Sequence, residues 1–204
     1  MAISILLGAS CTIILLLIIV PSIPAASSVS DTEGDAYALP LFPNKPVPVA
    51  RGYHDIVGAG VERIDGGLLL SIELADGLEH YGDGYEVVYI WSIEYMTASL
   101  QKREYKVVIP YFPEEQGLNV QGWYLAVFDA SSNRWLVPML KIDGARGNAI
   151  DIDLDARVIG SPVIFWWSVD VMVNVDTATH AQPDYLMDSI PDRGKGLFSP
   201  FSFR

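Results

Sequence analysis

Over 204 residues the chain sets 25 acidic against 13 basic side chains, for a formal charge of −12, and half of its residues are hydrophobic. A surface this acidic repels a phosphate polyanion, so nucleic acid is excluded as an expected partner; the charge serves solubility or draws in cations. The single cysteine, Cys11, excludes an internal disulfide, and its place near the start removes thiol catalysis and cysteine-ligated zinc from everything that follows.

No charged side chain precedes Asp31, and "TIILLLIIV" (Thr12 to Val20) is an apolar run closed by Pro21. Small residues follow in "PSIPAASS", so residues 1–26 read as a signal peptide cut near Ala26 or Ser27. The alternative is an uncleaved membrane anchor, because Ala2 to Val20 is just long enough to span a bilayer. Either way the remainder is expected to be secreted or extracellular. Residues 27–52 turn polar and then proline-rich ("LPLFPNKPVPVARG"), the composition of an extended linker. The folded domain is expected over 53–194, with an aromatic tail over 195–204 that carries Phe198, Phe201 and Phe203 and is expected to fold back over its own sandwich, the alternative being a partner's surface or an open sheet edge.

From Tyr53 onward the apolar pattern has period two. "HDIVGAGVERI" opens the series. "GLLLSIELA" then puts Leu68, Leu70, Ile72 and Leu74 on one face, and "YEVVYIWSIEY" does the same with Val87, Tyr89, Trp91 and Ile93. The alternation continues through Tyr105, Val107 and Ile109, then Trp123, Leu125 and Val127, then Trp135, Val137 and Met139. Ile150, Ile152 and Leu154 oppose Asp151, Asp153 and Asp155, and a last run aligns Val163, Phe165, Trp167, Val169, Val171 and Val173. Turn chemistry separates these runs: "IDGGL", "ASSNR" and "DGARGN" supply residues that tolerate positive φ. "MTASLQK" reads as a turn and "DARVIGSP" as a short 3-10 or loop segment, and no long amphipathic helix is present. About eight short strands without alternating helices predict an all-β fold, an antiparallel two-sheet sandwich of jelly-roll or immunoglobulin-like topology.

The opening "HDIVGAGVERIDGGLLLSIEL", the Tyr- and Trp-rich middle strands and the closing "DSIPDRG" together resemble secreted sandwich domains of the DOMON and family 9 carbohydrate-binding-module superfamily, over Asp55 to Gly194. The resemblance implies a β-sandwich that binds a sugar or a haem, or that serves as a surface module without either. It carries no ligand residue over to this chain.

Three kinds of chemistry follow from the residues themselves. A glycan needs a flat aromatic face and polar groups beside it. Trp91, Trp123, Trp135 and Trp167 are in phase with the core, but Trp166 falls on the opposite face beside Ser168 and Asp170, which makes Trp166 and Asp170 the candidate ligand-binding pair. The competing reading has Trp166 covering the sheet under the C-terminal tail. Calcium needs converging hard oxygens, which two acidic stretches could supply: Asp76, Glu79, Asp83 and Glu86 in one, Asp188 and Asp192 in the other. Asp188 and Asp192 are the candidate calcium ligands, although Asx-type bonds that close the final turn are the favoured reading of them. Asp151, Asp153 and Asp155 are spread along one strand face at roughly 7 Å per pair and read as solvated. Haem is not expected: His54, His80 and His180 with Met96, Met139, Met172 and Met187 show no axial pair.

No nucleophile elbow, zinc-protease helix or phosphate loop occurs, and Glu94, Glu104, Glu114 and Glu115 set no catalytic separation, so enzyme activity and an obligatory cofactor are not expected. The leading expectation is a non-catalytic extracellular binding module for a glycan or a cell-surface protein. The alternative is a structural or adhesive surface subunit that self-associates through sheet edges or its Phe-rich tail, and a haem-binding electron-transfer module is the third.

Overall fold

The computed structural model describes residues 26–77, 85–112, 122–143, 147–175, 183–192 and 196–198. Residues 1–25, all but Ala26 of the expected signal or anchor over 1–26, lie outside that part. Among the described residues no helix is long and apolar enough to cross a membrane. The described residues form twelve strands: β1 (Ala26–Ser30), β2 (Leu39–Pro40), β3 (Ile56–Ile64), β4 (Gly67–Leu74), β5 (Glu86–Met96), β6 (Lys102–Phe112), β7 (Gly122–Asp129), β8 (Arg134–Lys141), β9 (Ala149–Asp155), β10 (Phe165–Asn174), β11 (Tyr185–Ile190) and β12 (Gly196–Phe198). They build two antiparallel sheets, a smaller one in the order β1-β3-β4-β9 and a larger one in the order β2-β11-β10-β5-β6-β7-β8, with β12 also on β10. The chain is an all-β sandwich, and all eight expected strands are among the twelve.

The alternation explains the packing. Leu68, Leu70, Ile72 and Leu74 from β4, with Ile150, Ile152 and Leu154 from β9, face inward against Tyr89, Trp91, Ile93, Val107, Phe165, Trp167, Val169 and Val171 of the larger sheet. Each such side chain, fully withdrawn from water, contributes about 1.5–3 kcal/mol. Trp91 and Trp167 lie side by side on neighbouring strands, centroids 5.1 Å apart. The Tyr89 hydroxyl donates to the Tyr53 carbonyl at 2.6 Å, so a large ring is buried without leaving its polar end unmet. Turns close as expected: Gly66 takes φ +79° between β3 and β4, and Asp129 accepts bonds from Ser131 N–H and Ser132 N–H before β8.

Three expectations are revised. Residues 27–52 do not hang free of the sandwich. β1 pairs with β3 along Ala26↔Glu62 to Ser30↔Gly58, and β2 pairs with β11, because the small residues of "ASSVS" let an edge strand lie flat on β3. The domain boundary at 194 moves, because the tail folds back as expected and its start joins the larger sheet: β12 pairs with β10 at Phe165↔Phe198, and Phe198 is buried in stacked contact with Phe165. Phe201 and Phe203 lie outside the described residues. Finally, Trp135 and Met139 are not core residues, being 54% and 50% exposed. The β7–β8 register slips between Val127 and Phe128, so Val137 pairs with inward Val127 while Trp135 pairs with outward Phe128. A bulge of this kind breaks the period-two rule that placed Trp135 and Val137 together.

Gly196 leaves no room for a side chain. A Cβ there would meet the indole of Trp167 at 2.5 Å, and Trp167 is itself fixed by its Nε1–H donating to Ser27 Oγ at 3.1 Å. Gly196→Ala is expected to lift β12 off Trp167 and to cost about 1–3 kcal/mol, read as a lower midpoint in denaturant and a change in tryptophan fluorescence.

Candidate functional site

Two regions gather functional side chains. The first lies where the N-terminal segment crosses from one sheet to the other. Asp31 N–H donates to the Val57 carbonyl in β3, and Tyr37 N–H donates to the Met187 carbonyl in β11, so residues 31–37 bridge the smaller and larger sheets. Five aspartates converge there. Asp31, Asp35 and Asp192 each bring a carboxylate oxygen within 4.8 Å of the others, and so do Asp35, Asp55 and Asp188, with Asp35 common to both sets.

Backbone amides hold this arrangement. Gly34 N–H donates to Asp55 Oδ2 at 2.6 Å, and Ile56 N–H donates to Asp188 Oδ2 at 2.7 Å, the latter a buried bond that joins β3 to β11 across the sandwich edge. Asp188 Oδ1 accepts from Ser189 N–H at 2.7 Å. Burial pushes the Asp188 carboxyl up to about 6, the repulsion of Asp31 and Asp35 adding to it against the lowering effect of those two amides. Burial likewise raises Asp55, with Asp35 and Glu33 adding repulsion, and raises Asp31, with Asp192 and Asp35 adding theirs. Among the described residues no lysine or arginine forms an ion pair with any of the five.

The second region is the outward face of the larger sheet. The register aligns Trp135, Phe128, Lys106, Ser92 and Ser168 in one cross-strand row, and Ala126, Val108, Ile90 and Asp170 in the next. Between these rows is an open depression of about 200 Å³, floored by Ile90, Val108 and Met172 and bordered by Phe128, Trp135, Lys106 and Asp170. Both charged groups are fixed. Lys106 Nζ donates to Ser92 Oγ at 2.8 Å and pairs with Glu104 Oε1 at 2.9 Å, while Asp170 Oδ1 accepts from Ser189 Oγ at 2.7 Å.

Trp166 and Asp170 do share this outward face, Trp166 being 41% exposed. They are four residues apart on β10, roughly 13 Å, so a single ring cannot touch both. Asp170 borders the depression and Trp166 does not. Asp188 and Asp192 are brought together with acids that the sequence reading left in a linker or a strand start: Asp31, Asp35 and Asp55. Asp188 does not only close its own turn, because its Oδ2 reaches a residue 132 positions away. Of the other acidic stretch, Glu79 and Asp83 lie outside the described residues, as do His80 and His180. Glu86 is buried and accepts from Asn174 Nδ2 at 3.3 Å, and His54 is buried with Nδ1 accepting from Arg51 N–H. Asp151, Asp153 and Asp155 are exposed along β9.

Phe128, Lys106 and Val108 were readable as out of phase with Val127 and Val107, which is the signal for an outward apolar floor. No comparable signal marked Asp31 and Asp35, since long-range convergence has no period. Compared with protein-family models, with curated proteins and with solved structures, the chain matches none.

A carboxyl whose folded pKa exceeds its unfolded one stabilises the fold when protonated. The contribution of Asp188 is therefore complete below its ordinary value of 3.8 and is lost as pH rises through about 6. In chelator, the thermal midpoint is expected to fall between about pH 4 and pH 6.5, from an effect on the order of 2 kcal/mol. Asp188→Asn, which stays uncharged across that range, should flatten the profile.

Proposed function

We propose that the chain is an exported, non-catalytic binding module whose outward face on the larger sheet takes a glycan. One observation carries this reading: an exposed indole, Trp135, stands beside Phe128 at the rim of an apolar floor that also has a fixed cation, Lys106, and a fixed carboxylate, Asp170. An aromatic plane suits the C–H side of a pyranose, and pre-positioned charged groups suit its hydroxyls, at little ordering cost. The depression is smaller than the roughly 300–1,000 Å³ of pockets that enclose a small molecule, so it touches part of a ligand and leaves the rest to run on across the sheet. That favours a polymer over a free metabolite. Trp166, further along β10, is then a second platform that only a longer chain reaches. The resemblance to DOMON and family 9 carbohydrate-binding modules supports the same reading, and the apolar run before Pro21 supports export.

The test is affinity electrophoresis of the full chain through gels that contain soluble polysaccharides, with a glycan array run in parallel. Wild type should be retarded by at least one neutral polysaccharide. Trp135→Ala should weaken that binding about tenfold, the value of one lost stacking contact. Trp166→Ala should weaken binding to the polymer and leave binding to a short fragment unchanged. No retardation by any glycan, or full retardation with Trp135→Ala, overturns the assignment. Concentration-dependent light scattering that Trp135→Ala abolishes would instead identify the face as a self-association surface.

A further inference from the structure

We propose that the five converging aspartates bind calcium, with Asp55 and Asp188 as the buried ligands, exposed Asp35 beside them, and Asp31 and Asp192 closing the site from outside through the shared Asp35. The ion would fasten the N-terminal crossing segment to both sheets. This rests on nothing in the glycan reading.

The cluster is more than a patch of surface acids. Asp55 is only 4% exposed, and its Oδ1 is buried without a hydrogen-bond donor, as is Oδ2 of Asp31. A buried carboxylate oxygen with no donor carries a desolvation cost that a cation removes. The remaining oxygens are occupied in a way that orients them: Gly34 N–H holds Asp55 Oδ2, and Ile56 N–H and Ser189 N–H hold Asp188. In Asp55 the amide bond to one oxygen fixes the direction of the other, and in Asp188 an amide on each oxygen fixes the whole carboxylate and leaves the second lone pairs for an ion, the arrangement in which a metal site is pre-positioned.

Oxygen-only donors select a hard cation. The flexible 6–8 coordination of calcium suits carboxylates from three separate chain segments better than the strict octahedron of magnesium does. Access is open from two sides. A depression of about 280 Å³ reaches Asp35, Asp188 and Asp192, and another of about 400 Å³ reaches Asp55 beside Gly34 and Asp76. The ligands also span the fold. Asp31 and Asp35 belong to the crossing segment, Asp55 precedes β3 of the smaller sheet, Asp188 is in β11 of the larger sheet and Asp192 follows it. An ion held by all of them joins three parts of the chain that no disulfide links.

The experiment is isothermal titration of the full chain with calcium chloride after chelator treatment, paired with thermal denaturation. Saturable binding is expected, with the midpoint raised by roughly 5–10 °C at a hundredfold excess over the dissociation constant. Magnesium at the same concentration should give a smaller rise. Asp55→Asn keeps an acceptor for Gly34 N–H and removes one charge. In chelator it should be at least as stable as wild type, and it should lose the calcium response. A merely structural Asp55 would instead leave the variant less stable with the response intact. Asp35→Asn, at an exposed position, serves as the second variant and should weaken calcium binding at least tenfold. A glutamate-specific protease should cut at Glu33 in chelator and be slowed by calcium. Absence of saturable binding by wild type, or an undiminished response in both variants, overturns the proposal.

Discussion

The inward contact between the two sheets is the interaction on which everything else depends. With no thiol beyond Cys11, the fold has no covalent tie between layers. Leu68, Leu70, Ile72 and Leu74 must therefore meet Tyr89, Trp91 and Trp167 closely enough to hold the layers by packing alone. That requirement fixes the phase of every central strand. Once Trp91 and Trp167 point inward, Ser92, Ser168 and Asp170 must point outward. The outward face is thus set by the core, and its polar and aromatic groups are held on strands that cannot rotate.

The same requirement makes the sandwich edges the places where chain segments are added. Trp167 is covered from one side by Gly196 and bonded from the other by Ser27, so the first and last described strands meet on one indole. The crossing segment after β1 uses backbone amides in place of apolar area. Asp31, Gly34 and Tyr37 each donate to a neighbour in or next to the two sheets, which lets a stretch with few buried side chains stay in place. The acids that accumulate there repel one another.

Much of this was legible in the sequence, for a reason that also marks its limit. Period two is a local property, so β4, β5, β6, β9 and β10 could be read with their buried faces, residue by residue, from the alternation in "GLLLSIEL" or "AIDIDLD". β8 was readable as a strand but not in its facing, because one extra residue near Leu136 inverts the phase and leaves no mark on composition. β1 was hidden since "ASSVS" pairs through its backbone and buries little, and β11 was hidden by the aspartate inside "YLMDSI". Asp188 and Asp192 were singled out from their own turn. Asp31, Asp35 and Asp55 could not be joined to them, because what unites these residues is the packing of β3 against β11, a contact between segments more than a hundred residues apart.

The slip in register that turns Trp135 outward also has an effect on the outermost ladder of the larger sheet. β8 ends the strand order, and among the described residues nothing pairs with its far side. A straight, unpaired ribbon bearing Trp135, Met139 and Leu140 would template the addition of foreign strands and seed fibres. Two irregularities within one short strand, together with a proline at 138 and charged ends at Arg134 and Lys141, bend and interrupt that ribbon. The kink that turns the indole outward thus also blunts the edge against runaway polymerisation.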